Sequence, residues 1–258
     1  MGTQIERANL LKNLHVKGDP LILFNIWDAG SAQAIQETGA KVIATGSWSV
    51  ATAHGYEDGE KLPFDLAIAN LKRIIAKVNL PVTFDLEGGY GQSPDEVKKS
   101  ITKVIEAGAV GINFEDQVID GKELYSIEDQ CARIKAIRYE AERVSIPIFI
   151  NARTDIFLKS DSVNLNDDLL EEALKRAFAY TEAGANGFFV PGLKNIKHIK
   201  KLCKLLRIPL NIMVLPDTPS LKQLAELGVA RISYGPGPYC QAMEALKIAG
   251  IKALSMSE

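Results

Sequence analysis

Residues 81–117 read PVTFDLEGGYGQSPDEVKKSITKVIEAGAVGINFEDQ. The stretch opens with a short apolar run, VTFDLE, behind Pro81. It continues through residues 94–107, whose apolar side chains recur every three or four positions, as on one face of a helix. Ser93 and Pro94 stand where a helix cap and a first helical turn place those residue types. Gly108 stands where that helix ends, because glycine accepts the left-handed conformation of the position. A second apolar run, AVGINFED, follows at once. The unit reads as strand, helix, strand.

The unit repeats outward in both directions. Apolar runs follow Pro20 (LILFNIW), Pro147 (IFINART) and Pro209 (LNIMVL), as VTFDLE follows Pro81. Proline fits at a strand's start and poorly inside it. Other runs follow Gly39 (AKVIATGS), Gly184 (ANGFFVPG) and Gly228 (VARISYGP), as AVGINFED follows Gly108. The two sets alternate and give eight strands, each apolar on both faces, as in a parallel sheet covered by helices. Helices are expected over 31–38, 64–79, 94–107, 126–142, 168–183, 195–206, 219–227 and 238–250, with residues 1–18 forming a further helix under the sheet. Eight such pairs predict a (β/α)8 TIM barrel; a doubly wound open sheet is the alternative. No linker or low-complexity tract divides the 258 residues, so one domain spanning 1–258 is expected.

The chain is 47% hydrophobic and 24% charged, with a formal net charge of -2. That balance suits a soluble globular protein and offers no electrostatic footing for nucleic acid or an anionic membrane. No apolar run approaches the roughly 20 residues of a membrane span. Three cysteines and a charged N-terminus point to a reducing, cytoplasmic setting.

In such barrels chemistry collects at the C-terminal ends of the strands. Strand 3 ends in Asp85-Leu86-Glu87, two acids that point the same way. Glu115 or Asp116 ends strand 4, and Asp58 lies in the loop after strand 2. Two carboxylates about 4 Å apart repel by roughly 4 kcal/mol at an effective dielectric near 20, so the cluster calls for protons, arginine or a metal. Oxygen ligands at a half-open site suit Mg2+, with Mn2+ as a substitute. Arg153 ends strand 5 and suits a substrate carboxylate; a salt bridge to Glu115 or Asp155 is the structural alternative. The backbone of Gly46, Ser47 and Trp48 could cradle an anion. Asn151 joins them as a substrate-binding candidate, and Asp58 and Glu115 join Arg153 as candidates for the chemistry. Glu57 and Glu60 read as structural acids paired with strand-end basic residues, His15 and His198 as surface, and Lys194 as an exposed turn residue. His54 and Tyr90 stay open as acid–base groups.

The runs NIWDAGSA, ATGSWSV…GYEDGE, PVTFDLEGGYG, AGAVGINFEDQ and INARTD, in this order, resemble the isocitrate lyase/phosphoenolpyruvate mutase superfamily. The likeness covers about residues 20–250. It implies Mg2+ held directly by Asp85 and through water by Glu87, Glu115 and Asp58. It implies a carboxylate held after strand 2, a second grip from Arg153, and an enolpyruvate-type intermediate. It further implies a homodimer or homotetramer in which the last helix is exchanged between subunits. One departure matters. Lyases of the superfamily carry a Lys-(Lys/Arg)-Cys-Gly-His loop after strand 4, and here Glu115-Asp116-Gln117 runs straight on to Leu124 and a helix. The asparagine-bearing loop of the mutases is missing as well. Three readings follow: decarboxylation of an oxaloacetate-like 2-oxo acid, carbon–carbon cleavage of a 2-hydroxy di- or tricarboxylate, and carboxylate binding without turnover. Decarboxylation tolerates the missing loop best, because it needs an electron sink and no initiating base.

Overall fold

The computed structural model describes residues 2–121, 123–160 and 167–255. Met1 of the expected first helix and Lys122 of the segment after strand 4 lie outside them.

Every proline- or glycine-led run carries a strand. These are β1 (Leu21–Leu23), β2 (Ile43–Ala44), β3 (Val82–Asp85), β4 (Gly111–Glu115), β5 (Phe149–Arg153), β6 (Gly187–Phe189), β7 (Leu210–Met213) and β8 (Arg231–Ser233). All pairings are parallel, in the order β1-β8-β7-β6-β5-β4-β3-β2. The ring closes between its ends through a single parallel bridge, Ile26 to Thr45. This is a (β/α)8 barrel, and the open sheet is excluded. The four glycines expected to end helices, Gly39, Gly108, Gly184 and Gly228, all have positive φ.

Helices α2 (Ala29–Glu37), α4 (Phe64–Lys77), α5 (Pro94–Ala107), α6 (Ile127–Arg143), α7 (Asp167–Glu182), α8 (Ile196–Leu205), α9 (Leu221–Glu226) and α10 (Gly237–Ser255) follow the strands. The α5 start is a full capping box: Ser93 Oγ accepts from the Glu96 N–H, and the Glu96 carboxylate reaches back to the Ser93 N–H. The first helix, α1 (Gln4–Asn13), is shorter than expected. Its Ala8 and Leu11 plug the bottom of the barrel against Leu21, Leu23, Val110 and Phe149.

The structure corrects three expectations. The segment after β2 starts as a helix, α3 (Ser47–Ala53), where a long loop was expected. The barrel lining is not apolar throughout: Thr83, Asn113, Asn151, Asn211, Arg231 and Ser233 are buried within β3–β8. A buried run tolerates such residues when they bond one another, and hydropathy alone does not show which face they take. Two histidines read as surface are enclosed. His15 stacks on Phe149 with ring centroids 4.1 Å apart, and His198 is buried with Nε2 3.2 Å from Asp167.

Candidate active site

A cavity of about 180 Å³ opens at the C-terminal end of the barrel. One side is polar, formed by Ser47, Asp58, Asp85, Asn113 and Arg153. The other carries Leu158, Phe189, Met213 and Pro236, from the segments that end strands β5 to β8. Its volume is below the roughly 300 Å³ of pockets for drug-sized ligands, so the occupant is small.

Asp85 lies in this cavity. Its Oδ2 accepts the Ser47 N–H at 3.1 Å, and its own N–H donates to Thr45 Oγ1 at 2.9 Å. Its Oδ1 is buried without a partner. A buried carboxylate oxygen left unbonded is costly, and a cation at this oxygen would relieve it. Glu87 is differently placed. Its Oε2 accepts the Gly59 and Glu60 N–H groups at 3.0 and 2.7 Å, and its Oε1 accepts the Tyr90 hydroxyl at 2.9 Å. Burial, with the charges of Asp58 and Asp85, pushes the Glu87 carboxyl up to about 7 against those hydrogen bonds. Glu60, Glu87 and Tyr90 all adopt positive φ, so the turn that presents Glu87 is held in a conformation side chains rarely take.

Glu115 pairs with Arg153, Oε2 to Nη1 2.9 Å. Burial raises its carboxyl well above the usual range, opposed by that guanidinium. Arg153 also grips Asp155 in two places, Nε to Oδ1 at 2.5 Å and Nη2 to Oδ2 at 2.7 Å. The salt bridge set against a substrate role therefore exists with both acids, yet Arg153 still lines the cavity. Asp116 faces away: it is fully buried and takes the Tyr180 hydroxyl at 2.8 Å and Arg176 at 3.2 Å. Asp58 stands exposed at the rim. Lost hydration on its inner side and the Asp85 charge raise its carboxyl, against Arg153.

The expected backbone cradle is narrower than the sequence suggested. The Gly46 N–H donates to Ile26 O and the Ser47 N–H to Asp85, while the Ser47 and Trp48 residues line the cavity. Asn151 sits beneath it and donates to Asn113 Oδ1 at 2.9 Å. Tyr90 stacks on Phe64 and serves Glu87, and His54 is exposed with Nδ1 2.8 Å from Val50 O. Neither lines the cavity. Glu60 is half-buried, and its carboxylate accepts the Tyr90 N–H at 2.7 Å, a structural role as expected, though the partner is a backbone N–H and not a basic side chain.

Three residues escaped the sequence reading. Asn25 ties β1, β2 and β8 together: Nδ2 donates to Thr45 O, and Oδ1 accepts the Tyr234 and Gly235 N–H groups. Asn113 and Ser233 line the cavity. Each is two residues from another lining-face residue, Leu23, Glu115 and Arg231 respectively, and that alternation was the available signal.

Among the described residues no three His, Cys, Asp or Glu side chains converge as a ready metal cage. That set suits Mg2+ better than a metal that strips its water, because Mg2+ takes one or two carboxylates and keeps its waters. Asp85 fits as the direct ligand through Oδ1. Glu115 fits as a partner through water, and the satisfied Glu87 fits that role less well.

The family model for phosphoenolpyruvate phosphomutase matches residues 11–253. The chain belongs to this family. Through it the protein is placed in the isocitrate lyase/phosphoenolpyruvate mutase superfamily. An uncharacterised protein of Mycobacterium tuberculosis H37Rv is 31% identical over 233 residues, covering 90% of this chain and 84% of its own. Oxaloacetate decarboxylase 2 of Pseudomonas fluorescens Pf0-1 is 25% identical over 236 residues, 88% of this chain and 74% of its own. A solved candidate phosphonomutase of Burkholderia cenocepacia J2315 superposes with a TM-score of 0.94 at 45% identity, covering 97% of this chain and 99% of its own. After β4, among the described residues, Gln117 bridges Leu124, and the Tyr125 N–H returns to Asp116 O at 2.8 Å. Among the described residues no helix is long and apolar enough to cross a membrane.

Proposed function

We propose that this protein is a Mg2+-dependent decarboxylase of a small 2-oxo dicarboxylate of the oxaloacetate type. The observation that carries the reading is the make-up of the cavity: acids and one guanidinium on one side, an apolar wall on the other, and, among the described residues, no His, Cys, Tyr or Lys in its lining. Cleaving a 2-hydroxy acid requires a base for the hydroxyl and an acid for the carbanion. Decarboxylation requires neither to begin. The C3–C4 bond breaks, its electron pair moves onto the 2-oxo oxygen, CO2 departs, and water supplies the proton that ends on C3. Asp85 and, through water, Glu115 would hold the Mg2+; when bound, the ion draws electron density from the 2-oxo oxygen. Arg153, oriented by Asp155, faces the substrate's anionic oxygens with its remaining N–H groups. The departing carboxylate loses its charge as it becomes CO2, so an apolar wall favours the product side of that step. The likeness to an oxaloacetate decarboxylase supports the same reading.

The test is pyruvate release from oxaloacetate with Mg2+, compared with the metal alone. A rate well above the metal-only rate is expected. Pyruvate or glyoxylate released from a 2-hydroxy acid, with oxaloacetate inert, would replace this reading by the lyase; binding without turnover would leave a carboxylate receptor.

We also propose that α10 seats on a second copy of the chain. Of its described residues only Pro238 is buried, while Met243, Leu246, Ile248, Ile251 and Leu254 are exposed. A cavity of about 350 Å³ lined by Phe24, Trp27, Ile35 and Ala242 adjoins it. Light scattering should give a dimer or tetramer; a lone 28.2 kDa species at micromolar concentration would exclude the exchange.

A further inference from the structure

Arg231 is 1% exposed, and its Nε and Nη1 have no hydrogen-bond partner. Its Nη2 donates to Asn113 Oδ1 at 2.9 Å. β8 and β4 stand four strands apart in either direction around the ring, so this side chain spans the barrel axis from wall to wall. The barrel interior is closely filled at two glycines. Gly111, one layer below Asn113, has no side chain, and a Cβ there would stand 2.6 Å from Leu11 Cδ2 and 3.0 Å from Thr83 Oγ1. Gly187 is alike: its Cβ would fall 2.7 Å from Asn151 Oδ1.

A buried guanidinium with two bare nitrogens is expensive, and burial pushes it down to about 9. Its compensation comes from above. Asp85 is paired in register with Asn113, the residue Arg231 holds, and the Asp85 charge is the one that favours the cationic form. The cation higher in the mouth, Arg153, is already divided between Glu115 and Asp155. From below, His15 offers no negative charge.

We propose that Arg231 is a positioning residue that acts as an internal counter-charge to the acid cluster. It crosses the barrel under Asp85, orients Asn113 at the cavity floor, and holds the acids together before any metal binds. A divalent ion then competes with this built-in cation, so Arg231 keeps the metal exchangeable. The structure of the chain without metal is the first thing this affects; the metal competition rests on the Mg2+ reading above.

Two measurements test it. In EDTA, the melting temperature of Asp85→Asn is compared with wild type. If the acids only repel one another, removing one charge stabilises the protein. If Arg231 is their counter-charge, the substitution strands a buried cation, and the midpoint falls by about 4 °C or more. A rise, or no change, overturns the proposal. The second compares the rise that Mg2+ produces in wild type, Arg231→Met and Arg231→Lys. Arg231→Met should show a larger rise than wild type, and Arg231→Lys, which keeps the charge, should match wild type. An equal rise in all three reduces Arg231 to packing and overturns the competition. Should Arg231→Met fail to fold, the EDTA comparison and the lysine variant still decide. No Mg2+ response in wild type would sink the metal reading, while the EDTA comparison would judge Arg231 separately.

Discussion

Asp85, Glu87 and Glu115 stand at the ends of β3 and β4; Phe189, Met213 and Pro236 stand at or just after the ends of β6, β7 and β8. Both groups occupy equivalent places in a repeated unit, so the fold does not distinguish them. The charged half is held by hydrogen bonds but not fully satisfied: Glu87 alone accepts three, while Asp85 is bonded through its backbone and its Oδ2 and leaves Oδ1 bare. The apolar half supplies shape and excludes water. The contrast teaches that equivalent strand-end positions can build a charged wall or an apolar one, depending on the side chain placed there.

The largest effect is expected at the seam between the halves. Arg153→Ala should lower kcat/KM on oxaloacetate by 10²-fold or more, since a charge-assisted clamp in a desolvated site is worth about 3 kcal/mol. Steady-state kinetics check this, and a loss under threefold would show that Arg153 only ties Glu115 to Asp155. A smaller effect should follow from charging the apolar half. Met213→Lys places an ammonium where the carboxylate departs, so it should lower KM and also lower kcat by roughly 10-fold, because it favours the bound anion over the departing CO2. Unchanged kcat would mean that the carboxylate leaves elsewhere.

The smallest effect lies at the opposite end of the barrel. Burial, aided by Arg231, lowers the His15 imidazole to about 3. The unfolded chain takes its proton near pH 6.5, so this stability is present above that pH and is lost as pH falls toward 3. Urea unfolding at pH 7 and pH 4.5 should show wild type losing about 1–2 kcal/mol more than His15→Phe over that interval. Parallel losses would place His15 in solvent contact.

The repeat of proline- and glycine-led runs was enough to locate every strand, because strand starts and helix ends impose local backbone demands that those two residues meet. Asp85 and Arg153 were legible for a similar reason: a charged side chain that closes an apolar run must reach water, a counter-charge or a ligand at the barrel mouth. The lining polar residues were not. Asn113 and Arg231 lie inside runs whose mean character is apolar, and only closure of the ring sets them face to face across its axis. The α3 turn was hidden because Ser-Trp-Ser-Val-Ala-Thr-Ala has no strong helical pattern, and burial of Ser49, Val50 and Ala51 holds it. His15, two residues past the end of α1, looked like a surface residue until the barrel floor closed over it.

The proposed chemistry depends most on Asp85, the residue that would hold the metal. Calorimetric titration of oxalate, which resembles the enolate of pyruvate, tests this with and without Mg2+. Oxalate should bind wild type and Glu60→Gln only when Mg2+ is present, and should not bind Asp85→Asn under either condition. Binding that ignores Mg2+, or that survives Asp85→Asn unchanged, would contradict it.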